Sequence, residues 1–182
     1  MADEIVEDWR GVKVRLAPRS YFHWSKSNDF LLHNAKLGKG VVATISAVAK
    51  IPGLEGFTTP YALLNGSPQK ENEWERVRAE CYPSRPSRMK ALFCFENREF
   101  ALRAKQEWFH EEDCRLVEIR IEKSANSWRA DSKWLEGDAS TWSSNAEHYW
   151  RGDMTDNPFP EIIIDGLLYF PEWETFELFT PN

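Results

Sequence analysis

Pro160-Glu161-Ile162-Ile163-Ile164-Asp165-Gly166-Leu167-Leu168-Tyr169-Phe170 is the stretch whose reading decides the fold. β-Branched and aromatic runs flank Asp165-Gly166, and a two-residue type I′ turn needs positive φ at both central positions, so this pattern predicts a β-hairpin. The isoleucine run is apolar on both faces, which predicts a central, buried strand. Glu161 stands at the entrance to that strand. A lone carboxylate there reads either as a solvated strand end or as a group placed for chemistry.

Working outward from that strand, the chain mixes strands and helices. The first ten residues form an acidic lead with the character of a short helix. Residues 12–16 alternate apolar with basic and read as an edge strand, and Tyr21-Phe22-His23-Trp24 as a short aromatic strand. Helix N-caps between Ser25 and Asp29 precede a short helix through Leu32, and residues 41–45 read as a further strand. Residues 50–70 hold Pro52, Gly53, Gly56, Pro60, Gly66 and Pro68, a loop or lid. A helix from Glu71 carries Trp74, Val77, Arg78 and Cys81 on one face, and Pro83 ends it. The basic connection Ser84-Arg85-Pro86-Ser87-Arg88 leads into a buried strand at residues 91–95, and Asn97 caps a helix through about Phe109. Residues 114–121 alternate as a half-buried strand, residues 123–138 look irregular, and residues 139–150 read as a helix stopped by Gly152. A last strand is expected at residues 173–179. No GxGxxG or GxxxxGK[ST] occurs, so dinucleotide-fold and P-loop readings have no support. The fold class expected is α+β, with a mainly antiparallel central sheet and flanking helices in a single domain over residues 1–182.

Composition narrows the function. With 42% hydrophobic and 29% charged residues and no apolar run near the length of a membrane span, the chain reads as soluble, and its acidic N-terminus lacks a signal-peptide pattern, which predicts a cytoplasmic protein. A net charge of −6 argues against a general nucleic-acid coat, while leaving room for a local basic patch. Cys81, Cys94 and Cys114 form no CxxC pair, and His23, His33, His110 and His148 lack ligand spacing, so neither a disulfide framework nor a metal site is expected. Cys94 looks buried, and no GxSxG elbow occurs, which disfavours Cys and Ser nucleophiles. Nine tryptophans spread along the chain point to core and cleft packing.

What remains is His23 on an early strand, Arg88 before a middle strand and Glu161 opening a late one. This layout resembles the ADP-ribosyltransferase fold, in its histidine-to-glutamate branch. Tyr21-Phe22-His23-Trp24 resembles that family's opening strand. Ala91-Leu92-Phe93-Cys94-Phe95, with Ala101 and Ala104 on the next helix, resembles its middle strand and helix. Pro160-Glu161-Ile162-Ile163-Ile164-Asp165-Gly166 resembles its closing strand, most closely in DNA-targeting toxins. Ser87-Arg88 and Tyr149-Trp150-Arg151-Gly152 resemble segments of a bacterial or phage family.

The resemblance implies an NAD-dependent transferase, a toxin or phage effector, moving ADP-ribose to a nucleic-acid or protein acceptor, with NAD as substrate, no metal and a neutralising partner protein. It gives Glu161 the stabilisation of a ribosyl cation. His23 would bond a ribose hydroxyl, and Arg88 or Arg85, beside Ser87, would meet the diphosphate. Trp24, Phe95 or Tyr149 would supply a nicotinamide face. The sequence departs from the family at the middle position, where Phe93 or Phe95 replaces a hydroxyl residue, and at Phe159, where transferases acting on arginine carry Gln or Glu. Other acceptors are therefore expected. Plainer roles stand beside these. His23 also reads as a core residue, Arg88 as a helix-end cap or partner of Glu75, and the chain as a non-enzymatic interaction module or, less well, a phosphoesterase.

Overall fold

The computed structural model describes residues 4–26, 29–64, 67–108 and 113–178. The chain runs β1 (Glu4–Glu7), β2 (Lys13–Lys26), α1 (Phe30–Leu37), β3 (Val41–Ala43), α2 (Ile45–Val48), α3 (Pro60–Leu64), α4 (Pro68–Cys81), β4 (Leu92–Cys94), α5 (Arg98–Trp108), β5 (Cys114–Glu122), β6 (Asn126–Asp131), α6 (Trp142–Arg151), β7 (Pro160–Asp165) and β8 (Leu167–Tyr169). Short 3-10 turns lie at Ser132–Leu135 and Trp173–Thr175. The fold is α+β with antiparallel pairing, as expected. No helix among the described residues is long and apolar enough to cross a membrane.

The elements gather into two compact units, each built from separate pieces of chain. The first takes Met1–Ala43, Cys94–Ala125 and Gly166–Asn182, and the second takes Thr44–Phe93 and Asn126–Asp165.

The first unit carries a sheet in the order β1-β2-β5-β8-β3. β2 is one strand of 14 residues with an irregularity between Leu16 and Ser20, where two separate strands were expected. The acidic lead is a strand, not a helix: Glu4 to Glu7 pair with Leu16 to Lys13 and cover the edge that residues 12–16 were expected to form. The alternation in β5 acts as predicted, with Val117, Ile119 and Ile121 buried. Asp29 caps α1 through Leu31 N at 2.9 Å, and the Asn97 side chain accepts from Phe100 N at 2.9 Å to start α5. The expected end of α5 at Phe109 and the end of the last strand at Phe179 lie outside the described residues. Before that point the tail makes a 3-10 turn, and Phe176 packs edge-on against Phe170 at 5.9 Å.

The second unit carries a sheet in the order β4-β7-β6, with β6 and β7 antiparallel from Asn126↔Asp165 to Asp131↔Pro160. β7 is buried at every position and central, as the isoleucine run predicted. Its helices supply a core of Trp74, Val77, Ala146, Tyr149 and Trp150 against Ile163 and Ala130. Trp74 and Trp150 are fully buried, and the Trp150 indole donates to the Trp74 carbonyl at 2.8 Å. Gly152 closes α6 at φ 84°, the left-handed conformation that a C-cap glycine adopts without strain.

The expected hairpin is not formed. β7 pairs within the three-stranded sheet, whereas β8 pairs with β5 and β3 in the five-stranded one. Asp165-Gly166 is thus a passage between two sheets. Gly166 has φ 149°, and a Cβ there would stand 2.6 Å from the Ala125 Cβ. The glycine was read as a turn former, but its requirement comes from this close approach. The strand β6, in the stretch expected to be irregular, is polar in sequence and held by its partner β7. The expected loop at 50–70 contains α3 and the first turn of α4.

Candidate functional site

β7 presents Glu161 on the side where α4, α6 and the 82–91 connection converge. Arg88, at the end of that connection, is 2% exposed, and five hydrogen bonds engage the five N–H groups of its guanidinium. Nε donates to Glu71 Oε2 at 3.0 Å, and Nη2 donates to the Tyr61 hydroxyl at 2.8 Å and Glu71 Oε1 at 3.4 Å. Nη1 donates to the Tyr149 hydroxyl at 2.5 Å and to Glu161 Oε1. The Tyr149 hydroxyl in turn donates to Glu161 Oε1 at 2.5 Å, and Tyr61 donates to Glu71 Oε1 at 2.7 Å. The guanidinium carbon stands 4.9 Å from the Phe93 ring centre and 5.1 Å from that of Tyr149, so aromatic faces line the cation.

The electrostatics follow from this packing. Burial works against the charge on Arg88, but Tyr149, Glu161, Tyr61 and Glu71 hold its pKa well above the ordinary value. Burial also pushes the Glu71 carboxyl upward. The Arg88 charge and hydrogen bonds, with the Tyr61 hydroxyl, more than offset this and hold it below the usual range. Burial raises both tyrosine hydroxyls. With both carboxylates ionised, the cluster carries one net negative charge.

Glu161 is held through one oxygen only. Oε1 takes Arg88 and Tyr149, while no described residue donates to Oε2, and the side chain keeps 7% of its surface. Tyr61, at 37% exposure, brings the network to the surface. The arrangement is a buried carboxylate fixed in orientation, with one oxygen left over.

The residues singled out from sequence divide between the units. Glu161, Arg88, Tyr149 and Ser87 belong to the second; His23, Trp24 and Phe95 belong to the first. The Ser87 hydroxyl donates to Glu75 at 2.9 Å, so Glu75 is the partner of Ser87 and Arg78, while Arg88 pairs with Glu71 and Glu161. Tyr149 is fully buried and packs edge-on against Trp150 at 4.9 Å, so its part in the cluster is played by its hydroxyl. In the first unit the Trp24 indole donates to the Ala101 carbonyl at 2.6 Å, and Phe95 bridges Phe22 by backbone bonds of 2.9 and 2.7 Å. His23 pairs with Val117 across β2 and β5 and is half-buried.

Two members of the cluster escaped sequence reasoning, Glu71 and Tyr61. Glu71 left a usable signal: it lies on the stripe of Trp74 and Val77, and an acid on the buried stripe of a helix needs a cationic partner inside. Tyr61 sits in the stretch read as loop and gave no signal. Burial pushes the Cys94 thiol up, away from an activated nucleophile. Among the described residues no group of three His, Cys, Asp or Glu could hold a metal ion.

A family model described as a protein of unknown function, DUF2441, matches residues 62–172. That stretch includes Glu71, Arg88, Tyr149 and Glu161 but neither His23 nor Tyr61. No curated protein matches the chain.

Proposed function

The chain belongs to the DUF2441 family, whose description assigns no activity, and we propose from its own residues that it is an NAD-dependent ADP-ribosyltransferase in which Glu161 is the catalytic carboxylate. The observation that carries this reading is the one-sided hold on Glu161. Arg88 and Tyr149 fix Oε1, and Oε2 is left to face a cation. In ADP-ribosyl transfer nicotinamide departs with the electron pair of its bond to ribose C1′, and the sugar becomes an oxocarbenium-like cation. A pre-oriented carboxylate oxygen in a water-poor site stabilises that charge and orients a ribose hydroxyl or the acceptor. The net negative charge of the cluster acts in the same direction. Arg88 here is a positioning residue, since none of its donors is left for a diphosphate. The role of His23 rests on the resemblance of its strand to the family's opening strand, as does the ADP-ribosyltransferase-like form of the fold.

The test is incubation with NAD labelled in its ADP-ribose part, against protein, DNA, RNA and nucleotide acceptors. Nicotinamide release and transfer of label are expected from the wild type. Glu161→Gln, checked for a native circular-dichroism spectrum, is expected to lose turnover by at least about a hundredfold, as removal of one pre-organised electrostatic group does in other enzymes. No release by folded wild type with any acceptor, or full activity of the variant, would overturn the assignment.

A second reading has one observation in its favour. Every donor of Arg88 is satisfied inside the protein, as in a polar clamp that fixes one arrangement of a core. On that reading the chain is a non-enzymatic interaction module, and millimolar NAD leaves its melting temperature unchanged. A transferase is stabilised by mass action.

A further inference from the structure

Beside β7, at the end opposite Glu161, the second unit holds a cavity of about 360 Å³. Its wall carries four cations, Lys50, Arg78, Arg85 and Lys90, against one carboxylate, Asp165. This is a concentrated positive site in a chain of net charge −6. Two of the cations are neutralised: Lys50 by Asp165 at 2.6 Å, and Arg78 by Glu75 at 2.7 Å. The other two are not. Among the described residues neither Arg85 nor Lys90 is in ion-pair contact with a carboxylate; Lys90 donates to the Glu55 carbonyl at 2.8 Å, and its charge reaches the exposed Glu55 carboxylate only at longer range.

The unpaired arginine is held in place. Its guanidinium carbon lies 3.3 Å from the centre of the Trp128 ring, so the face of the group is covered and its N–H edge is left for a ligand. The loop that carries it is fixed as well. Arg78 Nη1 donates to the carbonyls of Pro83 and Arg85 at 3.3 and 3.1 Å, Asn126 donates to the Ser84 carbonyl at 2.6 Å, and prolines stand on either side of Ser84-Arg85. A stacked, clamped arginine with no counter-charge, beside a second cation that makes no ion pair and the Ser84 hydroxyl, is an arrangement that matches a dianion bidentately.

We propose that this cavity binds the terminal phosphate of a small phosphomonoester carried on a hydroxylated sugar, with Arg85 as its bidentate partner and Lys90 as the second charge. Two unpaired cations match the two charges of a phosphomonoester. Each phosphate of a diphosphate bridge, as in NAD, carries one. The volume lies at the low end of small-molecule sites, roughly 300–1,000 Å³. The sugar is indicated by Asp165, whose Oδ1 is buried without a hydrogen-bond donor. A turn of this carboxylate toward a ligand hydroxyl removes that deficit. The inference is independent of the role of Glu161, and it concerns binding without a chemical step.

The experiment is calorimetric titration of the full chain at fixed ionic strength with ribose 5-phosphate, adenosine 5′-monophosphate, inorganic phosphate, ribose and NAD. Saturable binding of at least one of the two esters is expected, tighter than inorganic phosphate, ribose or NAD. If ribose 5-phosphate and the nucleotide bind equally, the sugar phosphate is the recognised unit; if only the nucleotide binds, the base contributes as well. Arg85→Ala is expected to weaken the ester at least about tenfold, the loss of one charge-assisted bidentate contact. Lys90→Gln, which leaves the Trp128 stack intact, is expected to weaken it with no loss of fold. Glu161→Gln should bind the ester as wild type does. Absence of saturation by either ester at millimolar concentration, preference for NAD, or wild-type affinity in both Arg85→Ala and Lys90→Gln would overturn the proposal.

Discussion

At the residue scale, Tyr149 separates the two readings of the buried cluster. Its ring is core, edge-on to Trp150, and only its hydroxyl touches Glu161. Tyr149→Phe keeps the ring and removes one of the two donors that hold Oε1. If Glu161 works on substrate, the loss of that bond loosens the carboxylate where charge develops and leaves ground-state binding alone. The expected result is a kcat lowered about tenfold, equivalent to about 1.4 kcal/mol, with KM for NAD unchanged. Stability should fall by about 1–2 kcal/mol, since Arg88 loses a buried acceptor and Glu161 a donor. Steady-state kinetics and urea melts read the two effects separately. A clamp with no catalytic part would show the stability loss alone, and a kcat within twofold of wild type would remove Tyr149 from the positioning role.

At the element scale, the passage from β7 to β8 depends on Gly166. A side chain there meets strained φ and the Ala125 backbone, with Cβ 2.9 Å from the Ala125 Cα. Gly166→Ala is expected to destabilise by about 1–3 kcal/mol from backbone strain alone. A urea midpoint equal to that of wild type would show that the chain relaxes freely there. The same passage explains what was legible in the sequence. Burial of Ile162, Ile163 and Ile164 was readable because three β-branched residues in a row have no solvent face. The caps at Asp29 and Asn97 and the stop at Gly152 were readable because each is a local hydrogen-bonding or backbone requirement. The partners of β7 and β8 were not, because Asp-Gly encodes only a local bend, and strand choice between sheets is made by distant chain. For the same reason β6 passed as irregular: Asn126-Ser127-Trp128-Arg129-Ala130-Asp131 has no apolar alternation, and its place is set by pairing with β7 and by Asp131. That side chain, fully buried, accepts from Lys133 N, Thr155 N, Thr155 Oγ1 and Phe159 N. In the cluster, Glu161 and Arg88 stood out as charges beside apolar runs, while their mutual contact, 73 residues apart in sequence, was a product of the tertiary fold.

At the scale of the whole molecule, the two units differ in how they respond to acid. Among the described residues the carboxyls held below their ordinary range are Asp8, in the first unit, and Glu55, Glu71, Glu73, Asp131, Asp138 and Asp153, in the second. Asp8, Glu71 and Asp131 are the ones whose side chains are enclosed and hydrogen-bonded on several sides; Asp8 holds only the turn between β1 and β2, whereas Glu71 and Asp131 tie together separate elements of the second unit. A carboxyl with a depressed folded-state pKa binds fewer protons in the folded chain than in the unfolded one. Its stabilisation is therefore complete above the unfolded value, 4.5 for a glutamate and 3.8 for an aspartate, and is lost as pH falls through the lower folded value. Protonation of Glu71 also leaves Arg88 as a buried charge short of one partner, which adds to the loss. Amide hydrogen exchange followed from pH 7 downward, corrected for intrinsic rates, should thus show protection falling first in α4, α6, β6 and β7, below about pH 4.5. β2 and β5 should keep theirs to lower pH. Glu71→Gln should flatten the acid limb of the second unit, at the cost of lower stability at neutral pH, because it removes one of the titrating groups. Simultaneous loss of protection in both sheets, or earlier loss in β2 and β5, would mean that the buried ion network does not set the acid response.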